Sequence, residues 1–139
     1  MAIAYTGGTF DTPHAGHFQF LEKCATYGDV VLALNTDNFV KQFKGHYPIM
    51  PFHERYTIFS ACKYVKRIIA NLSGADSKPT IVSVKPDYII IGDDWLKKDY
   101  YKQMGFTKEW LEEQNIKLIY VPYTPYVSST IIKQRICSQ

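Results

Sequence analysis

Strand-length apolar runs alternate along this chain with longer amphipathic segments. Ala2 to Thr6 is a short apolar run that ends at Gly7-Gly8, and DVVLALNTD, Asp29 to Asp37, reads as a buried strand stopped by polar residues. Val65 to Asn71, Tyr88 to Ile91 and the segment IKLIYVPY supply further strands, with Gly92 cutting off the second of these. Between the strands, apolar positions recur at helical spacing. Phe18, Leu21, Cys24 and Ala25 predict a helix over Ala15 to Tyr27 that ends at Gly28. Pro51 suits the first turn of another over Phe52 to Tyr64, with Tyr56, Phe59, Ser60 and Lys63 in register and FKGHYP before it as a loop. A weak helical segment runs to Lys85, one or two helices broken near Gly105 fill Leu96 to Asn115, and Ser128 caps a final helix in SSTIIKQRI. This alternation predicts an α/β class fold, a single domain with a five-stranded parallel sheet flanked by helices. No repeat, low-complexity tract or linker divides residues 1–139.

Composition narrows the possibilities. A chain of 139 residues, 46% of them hydrophobic, can bury one substantial core and little of a second. Its net charge of +3 is a mild excess with basic residues scattered, unlike the concentrated basic face of a nucleic-acid binder. Small anionic ligands fit it better. Cys24, Cys62 and Cys137 stand far apart, which matches neither a disulfide framework nor a zinc site and predicts a reducing compartment. MAIAYTGGTFD has no charged leader followed by a long apolar segment, and no run approaches membrane-spanning length. A soluble, cytoplasmic protein with no membrane or nucleic-acid partner is the expectation.

The polar clusters fall in one place. Gly7 to His17 follows the first strand, Asn35 to Lys44 the second, Gly92 to Trp95 the fourth, and Thr124 to Thr130 the fifth. In open α/β sheets, ligands bind beyond the carboxyl ends of the strands, where the strand order reverses. Two of the clusters open helices, whose unpaired N–H groups and partial positive charge attract phosphate. Gly8 and Thr9 would bring backbone amides against phosphate oxygens, and Ser128, Ser129 and Thr130 add hydroxyl donors. Yet GGTFDTPHAGH is neither a Walker loop, which needs Gly-Lys-Ser/Thr, nor the dinucleotide fingerprint.

The residues by themselves admit two readings at several positions. His14 and His17 lie on one side of a first helical turn: either His14 caps the helix and His17 packs with its nitrogens satisfied, or both meet an anion. A zinc site would need a further ligand at a familiar spacing, so no metal ligand is assigned. Gly16 between them leaves room for a base or ribose against the helix backbone. Arg55 carries a positive charge into a first turn, which costs roughly a few tenths of a kcal/mol. That points to an anion in front of it, or to a salt bridge with Glu54 or Asp37. Trp95 is either a base-side group or a core anchor.

GTFDTPHAGH followed near the C-terminus by VSSTIIKQRI resembles the nucleotidyltransferase superfamily that carries GTFDxxHxGH and an I/V-S-S/T-T-x-I segment. With GDDW at Gly92 to Trp95, Lys44 and the HER of His53 to Arg55, the chain looks most like the glycerol-3-phosphate cytidylyltransferase family. The resemblance implies a single Rossmann-like domain that transfers CMP from CTP to a phosphorylated alcohol and releases pyrophosphate, with Mg²⁺, as a homodimer. It implies that His14 and His17 contact the triphosphate and that Thr9, Phe10 and Asp11 line the nucleotide pocket. Lys44 would bridge the α-phosphate and the acceptor, with Lys41 its rival in the same loop. Asp94 and Trp95 would sit beside base and ribose, Ser128, Ser129 and Thr130 would hold the β- and γ-phosphates, and Thr124 would also contact the nucleotide. Asp11, Lys44, Tyr123 and Tyr126 would face the acceptor.

The pattern is not complete. The family reads Arg-Thr-x-Gly before its last motif, where this chain has Tyr123, Thr124, Pro125 and Tyr126. The segment LKKDYYKQMGFTKEWLEEQNI is also longer than that family has at this place. Sugar phosphates, amino-alcohol phosphates and phosphonates therefore stand beside glycerol 3-phosphate as acceptors. A second resemblance, of ALNTDNFVKQFKGHYPIMP and STIIKQRI, is to adenylyltransferases of heptose-phosphate pathways, and GGTFD with HAGH is similar to phosphopantetheine adenylyltransferase; both imply ATP. A non-catalytic, nucleotide-binding regulatory module is the reading from another class.

Overall fold

A computed structural model describes residues 2–72, 76–93, 100–122 and 127–139. Five strands, β1 (Ile3–Gly8), β2 (Asp29–Asn35), β3 (Val65–Asn71), β4 (Tyr88–Gly92) and β5 (Lys117–Val121), form one parallel sheet in the order β3-β2-β1-β4-β5. The helices are α1 (Ala15–Ala25), α2 (Asp37–Lys44), α3 (Phe52–Ser60), α4 (Lys78–Val84), α5 (Tyr100–Met104), α6 (Lys108–Glu113) and α7 (Ser129–Cys137). The expected α/β class and five-stranded parallel sheet are both present.

Strand alternation divides the core between two faces. Val31 and Ala33 of β2, Tyr5 of β1 and Ile89 and Ile91 of β4 pack against Ile81 and Val84 of α4 and Leu111 of α6. Val30, Leu32 and Leu34, with Ala4 and Ile90, face Leu21 and Cys24 of α1 and Phe59 of α3. Covered on both sides, β2 has no polar position between Asp29 and Asn35, which is why its sequence reads as a continuous apolar run. Each fully buried Leu or Ile contributes roughly 1.5–3 kcal/mol.

Several boundaries differ from the sequence reading. β1 runs on through Gly7 and Gly8, paired with Ala33 and Leu34 of β2. The α1 helix ends at Thr26 in a right-handed conformation rather than at Gly28. Gly28 is required for another reason: a Cβ there would lie 2.3 Å from the Ala2 carbonyl oxygen. α2 is a helix where the sequence reading placed a strand end and a loop, because Thr36 caps it through the Phe39 N–H and Gly45, at φ +82°, closes it. α3 stops at Ser60, and its buried face is Arg55 and Phe59, while Tyr56, Ser60 and Lys63 are exposed. Pro51 is its N-cap, one position earlier than expected.

The chain moves outward from β1 to β2 and β3, then returns past β1 to β4 and β5. The order therefore reverses between β1 and β4, and the crevice above their carboxyl ends is the ligand position of an open sheet. The loop after Gly8 and Asp93, next to the end of β4, both lie there.

Candidate active site

The loop from β1 reaches α1 at His14, whose extended backbone makes it the N-cap and whose Nδ1 accepts the Gly16 N–H at 3.0 Å. His17, three positions on, accepts the His14 N–H on its own Nδ1 at 3.2 Å. This is a capping box built from two imidazoles. The rings stack with centroids 3.8 Å apart and planes 24° from parallel. An Nδ1 that accepts a hydrogen bond carries no proton, so each neutral ring holds its proton on Nε2. Burial, helped by the adjacent His14 and only partly opposed by Asp11, pushes the His17 imidazole down to about 3. Burial lowers His14 as well. Near neutral pH both rings are uncharged N–H donors. His14 Nε2 is buried and has no hydrogen-bond partner among the described residues, the position of a donor that waits for an acceptor. Capping and ligand contact, two alternatives in the sequence, are compatible: the cap sets the tautomer that a ligand would meet.

The loop itself is tightly wound. Phe10 and Thr12 sit at φ 51° and 43°, left-handed values that non-glycine residues adopt at a cost. The Phe10 ring folds back over Gly8, where a Cβ would lie 2.9 Å from it, and packs against His17 and Phe59 at 5.0 and 5.3 Å between centroids. Two expectations change here. Phe10 supports His17 from beneath, and the space beside Gly8 holds an aromatic ring. The space above Gly16 is taken too, because a Cβ would meet His14 at 2.9 Å and Val127 at 3.0 Å. Glycine is needed there for the imidazole cap and the approach of the C-terminal segment, not as an open shelf for a base.

Asp11, expected to line the nucleotide and acceptor pockets, is bound on all sides by its own chain. It is 7% exposed. Its Oδ1 accepts from Thr12 N and Met50 N, and its Oδ2 from Ile49 N, with Lys133 Nζ 3.3 Å away. Burial would raise its pKa, but the Ile49 and Met50 N–H bonds and the Lys133 charge outweigh it and hold the carboxyl below its usual value. The Asp11 carbonyl also accepts the Ser129 hydroxyl. A carboxylate with its lone pairs so occupied is a joint between the loop, the segment before α3 and the start of α7.

Arg55 is likewise bound within its own chain. Its side chain is 0% exposed and meets Asp37, the second of the two alternatives the sequence left open. Nε donates to the Met50 carbonyl, Nη1 to the carbonyls of Thr9 and Asn35, and Nη2 to Asp37 Oδ1 at 2.8 Å. Asp37 Oδ2 in turn accepts the Phe52 N–H at the start of α3, so a carboxylate offsets the unfavourable placement of Arg55 in the helix dipole.

Lys44 occupies the last turn of α2, where its charge suits the dipole, and its ammonium lies 5.6 Å from the Phe43 ring. Lys41 is committed to the Gly45 carbonyl and the Tyr47 ring. At the start of α7, Ser128 caps through the Ile131 N–H, Ser129 is spent on Asp11, and Thr130 is exposed. Asp94, Trp95, Tyr123, Thr124 and Tyr126 lie outside the described residues. Asn71 and Lys133, which the sequence reading passed over, belong to the same edge, as does Asn35, which it placed only at the head of the second polar cluster. An asparagine closing each of two strands, after the apolar runs VVLAL and IIA, was the available signal for Asn35 and Asn71. Lys133 gave none, since only packing places it beside Asp11.

Comparison with known proteins places the chain in a family. A model of the cytidylyltransferase-like family matches residues 5–135. The glycerol-3-phosphate cytidylyltransferase of Bacillus subtilis is 33% identical over 139 residues, covering 98% of each chain. An FAD synthase of Pyrococcus horikoshii is 37% identical over 89 residues, covering 63% of this chain and 60% of the relative. The solved structure of a lipopolysaccharide core biosynthesis protein from Thermoplasma volcanium superposes with a TM-score of 0.71 at 25% identity, covering 89% of this chain and 98% of that one. With a paired-imidazole helix cap at the switch point of a five-stranded parallel sheet, and a family match over nearly its whole length, this chain belongs to the cytidylyltransferase-like family of nucleotidyltransferases.

Proposed function

We propose that this protein transfers CMP from CTP to a small phosphorylated alcohol of the glycerol 3-phosphate kind, or to a related phosphate or phosphonate, and releases pyrophosphate. An oxygen of the acceptor attacks the α-phosphorus in line with the departing pyrophosphate, so no covalent enzyme intermediate forms. The observation that carries the reading is the pair of histidines whose Nδ1 atoms are bound to backbone, with the buried His14 Nε2–H left without a partner among the described residues. Fixed neutral donors stabilise charge that builds on the phosphoryl oxygens without having to reorganise. Lys44, and Lys133 in the middle of α7, supply positive charge to the same reading. Mg²⁺ enters with the nucleotide phosphates, a view supported by the saturation of the Asp11 carboxylate, which leaves it no lone pair for a metal. A cytoplasmic homodimer belongs to the same proposal, and light scattering on the purified protein tests the dimer.

The named product of the FAD synthase relative contains an adenine nucleotide, which supports ATP as a second reading. Incubation with Mg²⁺, CTP or ATP and a panel of phosphorylated alcohols, sugars and phosphonates decides between them by pyrophosphate release. CTP with a glycerol phosphate is the expected active pair. Tight nucleotide binding with no release from any pair would overturn catalysis in favour of a regulatory module. A change in acceptor preference on Tyr123→Arg would place that position at the acceptor.

A further inference from the structure

Asn35 and Asn71 are register partners at the last positions of β2 and β3, and they are 7% and 4% exposed. Asn71 Nδ2 donates to Asn35 Oδ1 at 2.9 Å, and Asn35 Nδ2 donates to Thr9 Oγ1 at 3.0 Å. The relay ends at Asn71 Oδ1, which is buried without a partner among the described residues. Its direction follows from elementary bookkeeping. Turning both amides over would reverse every bond and leave the Asn71 amino group, with its two donors, bare in place of one carbonyl oxygen. An under-satisfied carbonyl is tolerated more readily than an orphaned N–H.

That direction has a consequence for Thr9. Its hydroxyl oxygen is occupied by an incoming bond, so its proton points away from Asn35. Arg55 holds the Thr9 carbonyl from the other side, at 2.7 Å. Thr9 itself is half-buried, immediately beyond β1 at the switch point.

We propose that Asn35 and Asn71 are positioning residues, which hold the Thr9 hydroxyl as an outward donor to a phosphate oxygen of the bound substrates. The proposal rests on the nucleotidyl-transfer reading. Donors in series polarise one another, so a relay makes the terminal hydroxyl a better donor than an isolated threonine.

Polarity can be reversed without changing shape. In Asn35→Asp, one carboxylate oxygen still accepts from Asn71, while the other can only accept from Thr9 and turns its proton inward. The Arg55 guanidinium, bonded to the Asn35 carbonyl, is the nearby positive charge, and it is shared with Asp37. We expect kcat to fall on the order of a hundredfold, the lower end of the range seen on loss of one oriented donor, with the nucleotide KM little changed. Thr9→Val should lose as much, and the double variant should be no worse than Thr9→Val alone. Asn71→Asp forces the same reversal from the far end and covers the case in which Asn35→Asp does not fold. Wild-type kcat in the folded aspartate variants, or additive losses in the double variant, would overturn the proposal. A second readout needs no turnover: the side-chain amide resonances of Asn35 should shift in Thr9→Val, and unmoved resonances would overturn the relay. If wild-type protein releases pyrophosphate from no substrate pair, the functional reading fails, while the amide resonances still decide the relay.

Discussion

His17 holds the backbone N–H of His14 through the same ring atom, Nδ1, that His14 uses to hold the N–H of Gly16. Each imidazole is thereby turned so that its remaining nitrogen faces away from the helix backbone.

This separates capping from chemistry by substitution. An asparagine side chain can replace the Nδ1 acceptor but has nothing at the position of Nε2. His14→Asn is expected to retain stability within about 0.5 kcal/mol, whereas His14→Ala loses about 1 kcal/mol with the cap. Both should lower turnover on the order of a hundredfold, as should His17→Ala. Urea unfolding beside steady-state assays checks the split; an active His14→Asn would reduce the ring to a cap.

Acid sensitivity should come from His17. The unfolded chain takes up this proton below a pH of about 6.5, but the folded chain does so only near 3. Between those values the unfolded state binds more protons, so stability is full above the higher value and declines as pH falls. The slope is up to about 1.4 kcal/mol per pH unit. The lowered Asp11 carboxyl acts in the same direction at the acid end. Denaturant titrations between pH of about 4 and 7 should show this slope in wild type and a much shallower one in His17→Asn.

Arg55 is bound on one side to Thr9 and on the other to Asp37 and Met50. Arg55→Lys cannot span that set with a single ammonium, and it leaves buried carbonyls and a carboxylate underserved. A loss of about 3–5 kcal/mol is expected. If instead the variant kept wild-type stability and lost only nucleotide affinity, the guanidinium would be a ligand contact after all.

The sequence was most legible where local rules operate. Apolar runs located all five strands, and the Ser128 cap located α7, because period and capping depend on neighbours within a few residues. α2 was missed since its short span offers few apolar repeats, and the α3 register was misjudged because an arginine occupies its most buried position. Of the site, the sequence specified which residues gather at the carboxyl edge, His14 and His17 above all. It did not specify which of them look outward. Asp11, Arg55 and Ser129 have the polarity of ligand contacts, yet they are consumed by partners dozens of residues away. Whether a polar side chain meets substrate or its own chain depends on which distant donors and acceptors the fold brings within hydrogen-bond reach, and only the folded chain decides that.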